Sequence, residues 1–178
     1  MTDSAVSIRS LSGEEAHERN VALGEVLMDC VEGGASVGFM SPLSQARAQS
    51  FWRIVAEDVA AGRRKLLIAE DSTTRGVLGT VHLVLAQPDN QAHRADVSKM
   101  LVHRKARRRG IGASLMREVE GEARALGKTL LVLDTVTGSD AERLYGRLGW
   151  TKVGVIPDFA LWPDGRPCAT TYFYKPLS

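Results

Sequence analysis

The segment Arg107-Arg108-Arg109-Gly110-Ile111-Gly112 carries the most readable chemistry in this chain. Three arginines supply fork-shaped cationic donors, and two glycines let a ligand approach the backbone closely. The residues after it, Ile111, Leu115, Val119, Ala123 and Leu126, recur at helical spacing. A helix that opens at the glycines presents unpaired N–H groups and the positive end of its macrodipole. The combination predicts a pyrophosphate-sized anion at residues 108–113, against the alternative of a plain solvated basic loop. Other groups able to do chemistry are Asp134, which ends the apolar run Thr129–Asp134, and Tyr145, which sits in the stripe Ala141, Leu144, Tyr145, Leu148. Asp96 and Glu32 are further carboxylates to weigh. His103 has no partner at ligand spacing, so a metal centre is not expected.

Two well-known nucleotide loops fit this segment poorly. A Walker A loop needs Gly-Lys-Ser/Thr, whereas Gly112 is followed by Ala113 and Ser114. The dinucleotide fingerprint would put its third glycine at Leu115, and seven residues separate Val102 from Gly110 where a tight turn is required.

The elements that must position these groups follow from periodicity. Val6–Arg9 reads as a first strand. Ser12-Gly13-Glu14-Glu15 is a capping sequence, and a helix is predicted from about 13 to Cys30. Gly33–Met40 is rich in glycine yet apolar, which suits a loop folded against the body of the protein. Ser41-Pro42 is expected to open a second helix, running to Gly62. Strands are predicted at Leu66–Ala69, Gly76–Ala86 and Ala95–Val102, then the helix after Gly110, which stops at Gly127. Thr129–Asp134 is a central strand covered on both faces. A short helix at 141–148 and strands at Trp150–Ile156 and Thr170–Tyr174 finish the chain, with a Pro/Asp/Gly loop expected at 157–167. The order is that of a mixed α/β domain.

The 178 residues suit one domain over the whole chain, 1–178. Charged residues make up 25% and hydrophobic residues 44%, so pervasive disorder is not expected. The net charge of +2 is too balanced for a nucleic-acid coat. Cys30 and Cys168 are far apart, with no CxxC, so neither a disulfide framework nor a cysteine zinc site is indicated. No apolar run reaches the roughly 18–20 residues needed to span a bilayer, and no secretory signal is visible. A cytoplasmic protein with no nucleic-acid or membrane partner is the expectation; a homodimer remains open.

Met100-Leu101-Val102-His103, then Arg107, then Gly110-Ile111-Gly112 resembles motif A of the GNAT acyl-CoA N-acyltransferase superfamily. Ala141-Glu142-Arg143-Leu144-Tyr145, three residues and Gly149-Trp150 resembles its motif B. Gly33–Met40, together with Leu133-Asp134-Thr135 and Gly138-Ser139, resembles the tabtoxin-resistance acetyltransferases of that superfamily. The resemblance implies a mixed, mostly antiparallel sheet flanked by about four helices, with a splay between strands 4 and 5. It implies acetyl-CoA as acyl donor, without a metal. The pantetheine maps onto the backbone of Met100, Leu101 and Val102, and the pyrophosphate onto Arg108, Arg109, Gly110, Ile111, Gly112 and Ala113, with Arg107 a further cofactor-binding candidate. The implied activity is N-acetylation of a small, amino-acid-like or antimetabolite amine by direct attack, with resistance as one role. A non-catalytic acyl-CoA-binding module is the alternative.

Acetyl transfer needs a proton donor for the thiolate, a base for the ammonium and support for the carbonyl oxygen. Tyr145 holds the position of the motif B tyrosine and is the candidate donor; the other reading is a core aromatic. Asp134 is placed to take the amine's proton or hold its ammonium, or else to cap a turn. Asp96 is the alternative base, or an exposed hairpin acid. Glu32 and Phe39 are candidates to line the acceptor pocket, as is Trp162. Two departures from the motifs are Gly138 in place of the motif B asparagine and Arg104 in place of the proline after motif A's strand.

Overall fold

The computed structural model describes residues 6–177. Strand β1 (Val6–Leu11) leads into α1 (Gly13–Glu18) and α2 (Asn20–Glu32), and α3 (Gln45–Ala60) follows after a loop. Strands β2 (Arg64–Asp71), β3 (Val77–Val84) and β4 (Arg94–Val102) form a meander. Then come α4 (Ile111–Ala125), β5 (Leu130–Val136), α5 (Asp140–Arg147), β6 (Thr151–Leu161) and β7 (Pro167–Pro176).

The seven strands form one sheet in the order β1-β2-β3-β4-β5-β7-β6. Every pairing is antiparallel except β4 with β5. β2 shows why the sheet has two covered faces. Leu66 and Ile68 point one way, into a core with Leu23, Leu27, Trp52 and Val55 of α2 and α3. Leu67 and Ala69 point the other way, against Leu115, Met116 and Val119 of α4. On the α4 side, buried Glu120 accepts from Trp150 Nε1 (3.1 Å) and Lys175 Nζ (2.8 Å), which fixes α4 to the far end of the sheet.

Three expectations from the sequence need correction. The helix expected over 13–30 is two helices, so among the described residues five helices flank the sheet. The break falls at Arg19, whose guanidinium turns to the fully buried Glu70 (2.8 Å) and to the Arg75 carbonyl (2.6 Å). A buried carboxylate must be paired, and Arg9 and Arg75 also reach Glu70. The helix expected to open at Ser41-Pro42 opens instead at Gln45, where the Ser44 side chain accepts from the Arg47 N–H. Finally, most of the loop expected at 157–167 is strand. β6 is an edge strand, so Pro157 costs no ladder bond, and an irregularity between Ile156 and Ala160 absorbs Asp158 at φ 51°.

Candidate functional site

β4 and β5 pair through only Arg94–Leu130, Ala95–Leu131 and Asp96–Val132, and then part. Beyond Asp96, the edge of β4 that faces β5 has no strand partner. A cavity of about 1180 Å³ opens there, walled by β4 from Val97 to Val102 and by Asp134, Thr135 and Val136 of β5.

A bulge in β4 shapes this wall. Thr80 pairs with Leu101 but His82 pairs with Ser98, so Lys99 and Met100 together face Val81. Lys99 adopts φ 50°, and its carbonyl accepts from the Thr80 hydroxyl at 2.9 Å. The extra residue reverses the alternation. Val97 packs on the α4 side and Leu101 on the α2–α3 side. β3 allows this because Gly79 leaves room: a Cβ there would lie 2.7 Å from the Leu101 carbonyl oxygen.

One end of the cavity gathers basic side chains and the start of α4. Gly110 (φ 76°) is the left-handed residue that starts α4, and Arg108 before it is also left-handed at φ 63°. The first N–H groups of α4 therefore face the cavity at Ile111, Gly112 and Ala113, and no acid occupies that turn. Gly112 is the point of close approach: a Cβ there would meet Leu144 Cδ2 at 3.2 Å and Met100 Sδ at 3.4 Å. Arg107 donates from Nε to the Val102 carbonyl (3.2 Å), bracing the end of β4. From behind, Asp29 of α2 accepts from the Arg104 N–H (2.7 Å) and Nε (2.9 Å). Burial pushes the Asp29 carboxyl upward, but these bonds and the neighbouring cations hold it below its ordinary value.

Tyr145 and Asp134 also line the cavity. The Tyr145 ring is wedged between Trp150 and Phe173, each 6.1 Å away between centroids, and only 5% of the residue is exposed. Burial first, and the charge of Asp134 second, push its hydroxyl well above the ordinary tyrosine value, so it stays protonated. Asp134 is exposed to the cavity and accepts from the Thr170 hydroxyl at 3.0 Å.

The Acetyltransferase (GNAT) family matches residues 34–150, most of the chain. The chain belongs to the GNAT acetyltransferase family. Its fold is shared with solved members across their length. An N-acetyltransferase from Staphylococcus aureus Mu50 superposes with a TM-score of 0.80 at 18% identity, over 98% of this chain and 100% of that one. A ribosomal-protein-alanine N-acetyltransferase from Brucella melitensis gives 0.78 at 21% identity, over 96% and 99%. A phosphinothricin acetyltransferase from Sinorhizobium meliloti, solved in complex with acetyl-CoA, gives 0.76 at 19%, over 97% and 89%.

Within this GNAT domain the residues singled out from sequence divide in two. Met100, Leu101, Val102, Arg107, Arg108, Gly110, Ile111, Gly112, Ala113, Asp134 and Tyr145 all line the one cavity. Arg109 does not line it, because the chain turns between Arg108 and Gly110. Asp96 lies where β4 and β5 are still paired, and its carboxylate is taken by Arg94 and by Gln87 Nε2 (2.9 Å). It is therefore removed as a base. Glu32 is turned outward to Arg104 (3.3 Å), and its side chain is 74% exposed. Phe39 packs edge-on against Phe51 at 5.2 Å, behind the cavity wall instead of in it.

Gly138 sits at φ 80°, and its N–H is bound by the Glu142 carboxylate, which also accepts from Thr171 (3.1 Å). Sequence reasoning missed Arg117 of α4 and Arg143 and Arg147 of α5, which also line the cavity. Arg143 and Arg147 are four apart and so share a helix face, a signal that was available. It also missed Lys99, for which no motif exists.

Proposed function

We propose that this GNAT protein is an acetyl-CoA-dependent N-acetyltransferase acting on a primary amine of a small, amino-acid-like acceptor. One observation carries the reading: an anion cradle and a Tyr145–Asp134 pair share one continuous cavity, opened by the parting of β4 and β5.

The residues present fit acetyl-CoA. The cradle at Arg108–Ala113 and the cations Arg117, Arg143 and Arg147 match a polyphosphate. The unpaired edge of β4 at Met100–Val102 matches an amide-bearing arm that hydrogen-bonds as a strand would. When bound, acetyl-CoA supplies an activated acyl group as a thioester. Asp134 holds the acceptor's ammonium and takes a proton from it, directly or through water, which frees the nitrogen lone pair. The nitrogen then bonds to the acyl carbon as the carbon–sulfur bond breaks. A backbone N–H on the free edge of β4, at Val102, stabilises the carbonyl oxygen as it gains charge. Tyr145 gives its proton to the departing sulfur and recovers one from the acylated nitrogen, which leaves a neutral amide and a thiol. Once Asp134 is protonated its charge no longer holds the Tyr145 proton, so proton uptake at one residue eases release at the other. The likeness to phosphinothricin acetyltransferases supports an amino-acid-like acceptor and a detoxifying role.

The test mixes purified protein, acetyl-CoA and a panel of amines, and follows thiol release together with a mass gain of one acetyl group on the amine. Tight binding of CoA with no amine acetylated would replace the reading with a non-catalytic binding module.

A further inference from the structure

Lys99 is left unexplained by this chemistry. It occupies the left-handed backbone position of the β4 bulge, which glycine or asparagine fills at less cost. Its side chain is half-buried and lines the cavity. Nζ lies 5.7 Å from the centre of the Phe51 ring and 3.7 Å from where a Cβ on Gly38 would stand. That places the ammonium beside the 33–40 loop, away from the phosphate cradle. Among the described residues no carboxylate forms an ion pair with it.

The surroundings are also short of negative charge. His82, fully buried, takes Arg64 at Nδ1 (2.8 Å), and its Nε2 has no partner. Burial, then the charges of Arg64 and Lys99, keep that imidazole neutral. Arg64 is itself neutralised by Asp58 (3.2 Å). Burial, with Arg64 next, lowers the Lys99 pKa, while Asp134 opposes the shift from across the cavity. An unpaired, partly desolvated ammonium in a cavity wall is costly unless an anion joins it.

Resting on the acetyltransferase reading, we infer that Lys99 is the specificity residue for a carboxylate on the acceptor, so that Asp134 and Lys99 together select an amino acid by its two charged ends. The loops that close this part of the cavity are fastened to each other. Ser36 donates to the Leu161 carbonyl (2.6 Å), and the Ser41 N–H donates to the Pro163 carbonyl (3.0 Å). The site therefore offers a fixed volume to a small acceptor.

The experiment compares α-, β- and ω-amino acids with their methyl esters as acceptors, for the native protein, Lys99→Met and Lys99→Arg. The readout is the ratio of kcat/KM for acid over ester; the KM for acetyl-CoA in each variant reports an intact fold. For the best acid, a native ratio of about 10 or more is expected, as for one charge-assisted contact. It should fall to near one in Lys99→Met and be largely kept in Lys99→Arg. A native ratio near one, or a ratio unmoved by Lys99→Met, overturns the inference while leaving the acetyltransferase reading standing. Calorimetry of the same amino acids with CoA-loaded protein separates the reverse case. Lys99-dependent binding without turnover keeps the carboxylate site and removes the activity. Neither binding nor turnover removes both.

Discussion

In the proposed reaction, Tyr145 and Asp134 would divide the proton work by environment. The tyrosine is sealed among aromatic rings and keeps its proton; the aspartate faces the open cavity with one hydroxyl bond from Thr170. Tyr145→Phe keeps the packing and loses the donor. It should lower kcat by about 10²-fold, with little change in the KM for acetyl-CoA, in steady-state assays. Because the tyrosine's pKa is raised, its protonated form persists above pH 10, so with an acceptor that carries no carboxylate the native kcat should rise with pH as the amine deprotonates and show no falling limb by about pH 10. Asp134→Asn should cost about 10–10²-fold in kcat/KM for the acceptor near pH 7. That loss should shrink towards pH 10, where the free amine no longer needs a base; a pH-independent loss would assign Asp134 to binding alone.

Two elements set the site: the bulge in β4 and the loop before α4. Thr80→Val removes the hydroxyl that satisfies the Lys99 carbonyl. It should cost about 1–2 kcal/mol in denaturant unfolding, the price of a buried unpaired carbonyl, and raise the KM for acetyl-CoA. Asp29→Asn weakens the tether from α2 to Arg104 and should raise that KM by about threefold to tenfold. The carboxyl is held below its unfolded value, so the tether is complete above about pH 4 and is lost as pH falls further. These elements were unequally legible in the sequence. The start of α4 was plain, because glycines and an apolar period of 3.6 coincide there. The bulge was not, because a lysine at φ 50° breaks the residue preference that would announce it. The break at Arg19 was hidden for another reason: its cause, Glu70, lies on a distant strand. β6 was misread because Pro157 and Asp158 signal a loop, and only their place at a sheet edge lets a strand accept them.

At the scale of the whole molecule, charge is distributed unevenly on a chain of net +2. The cavity is lined by Lys99, Arg107, Arg108, Arg117, Arg143 and Arg147 and, among the acids, by Asp134 and Asp140. Raising salt from about 0.05 to 0.5 M should therefore raise the KM for acetyl-CoA several-fold, since exposed charges are screened within a Debye length of about 10 Å at 0.1 M. An uncharged acceptor analogue should show no such dependence.

The short contact between β4 and β5 has one more consequence. A sheet normally finishes its own ladder; this one stops early, after Asp96 and Val132, and leaves an open edge. If acetyl-CoA lies along that edge as proposed, the last rungs would be contributed by a small molecule from outside the covalent chain, and conformational stability would become a function of metabolite supply. At a hundredfold excess over Kd, such a guest adds about 2.7 kcal/mol, visible as a melting temperature that climbs by a few degrees on titration.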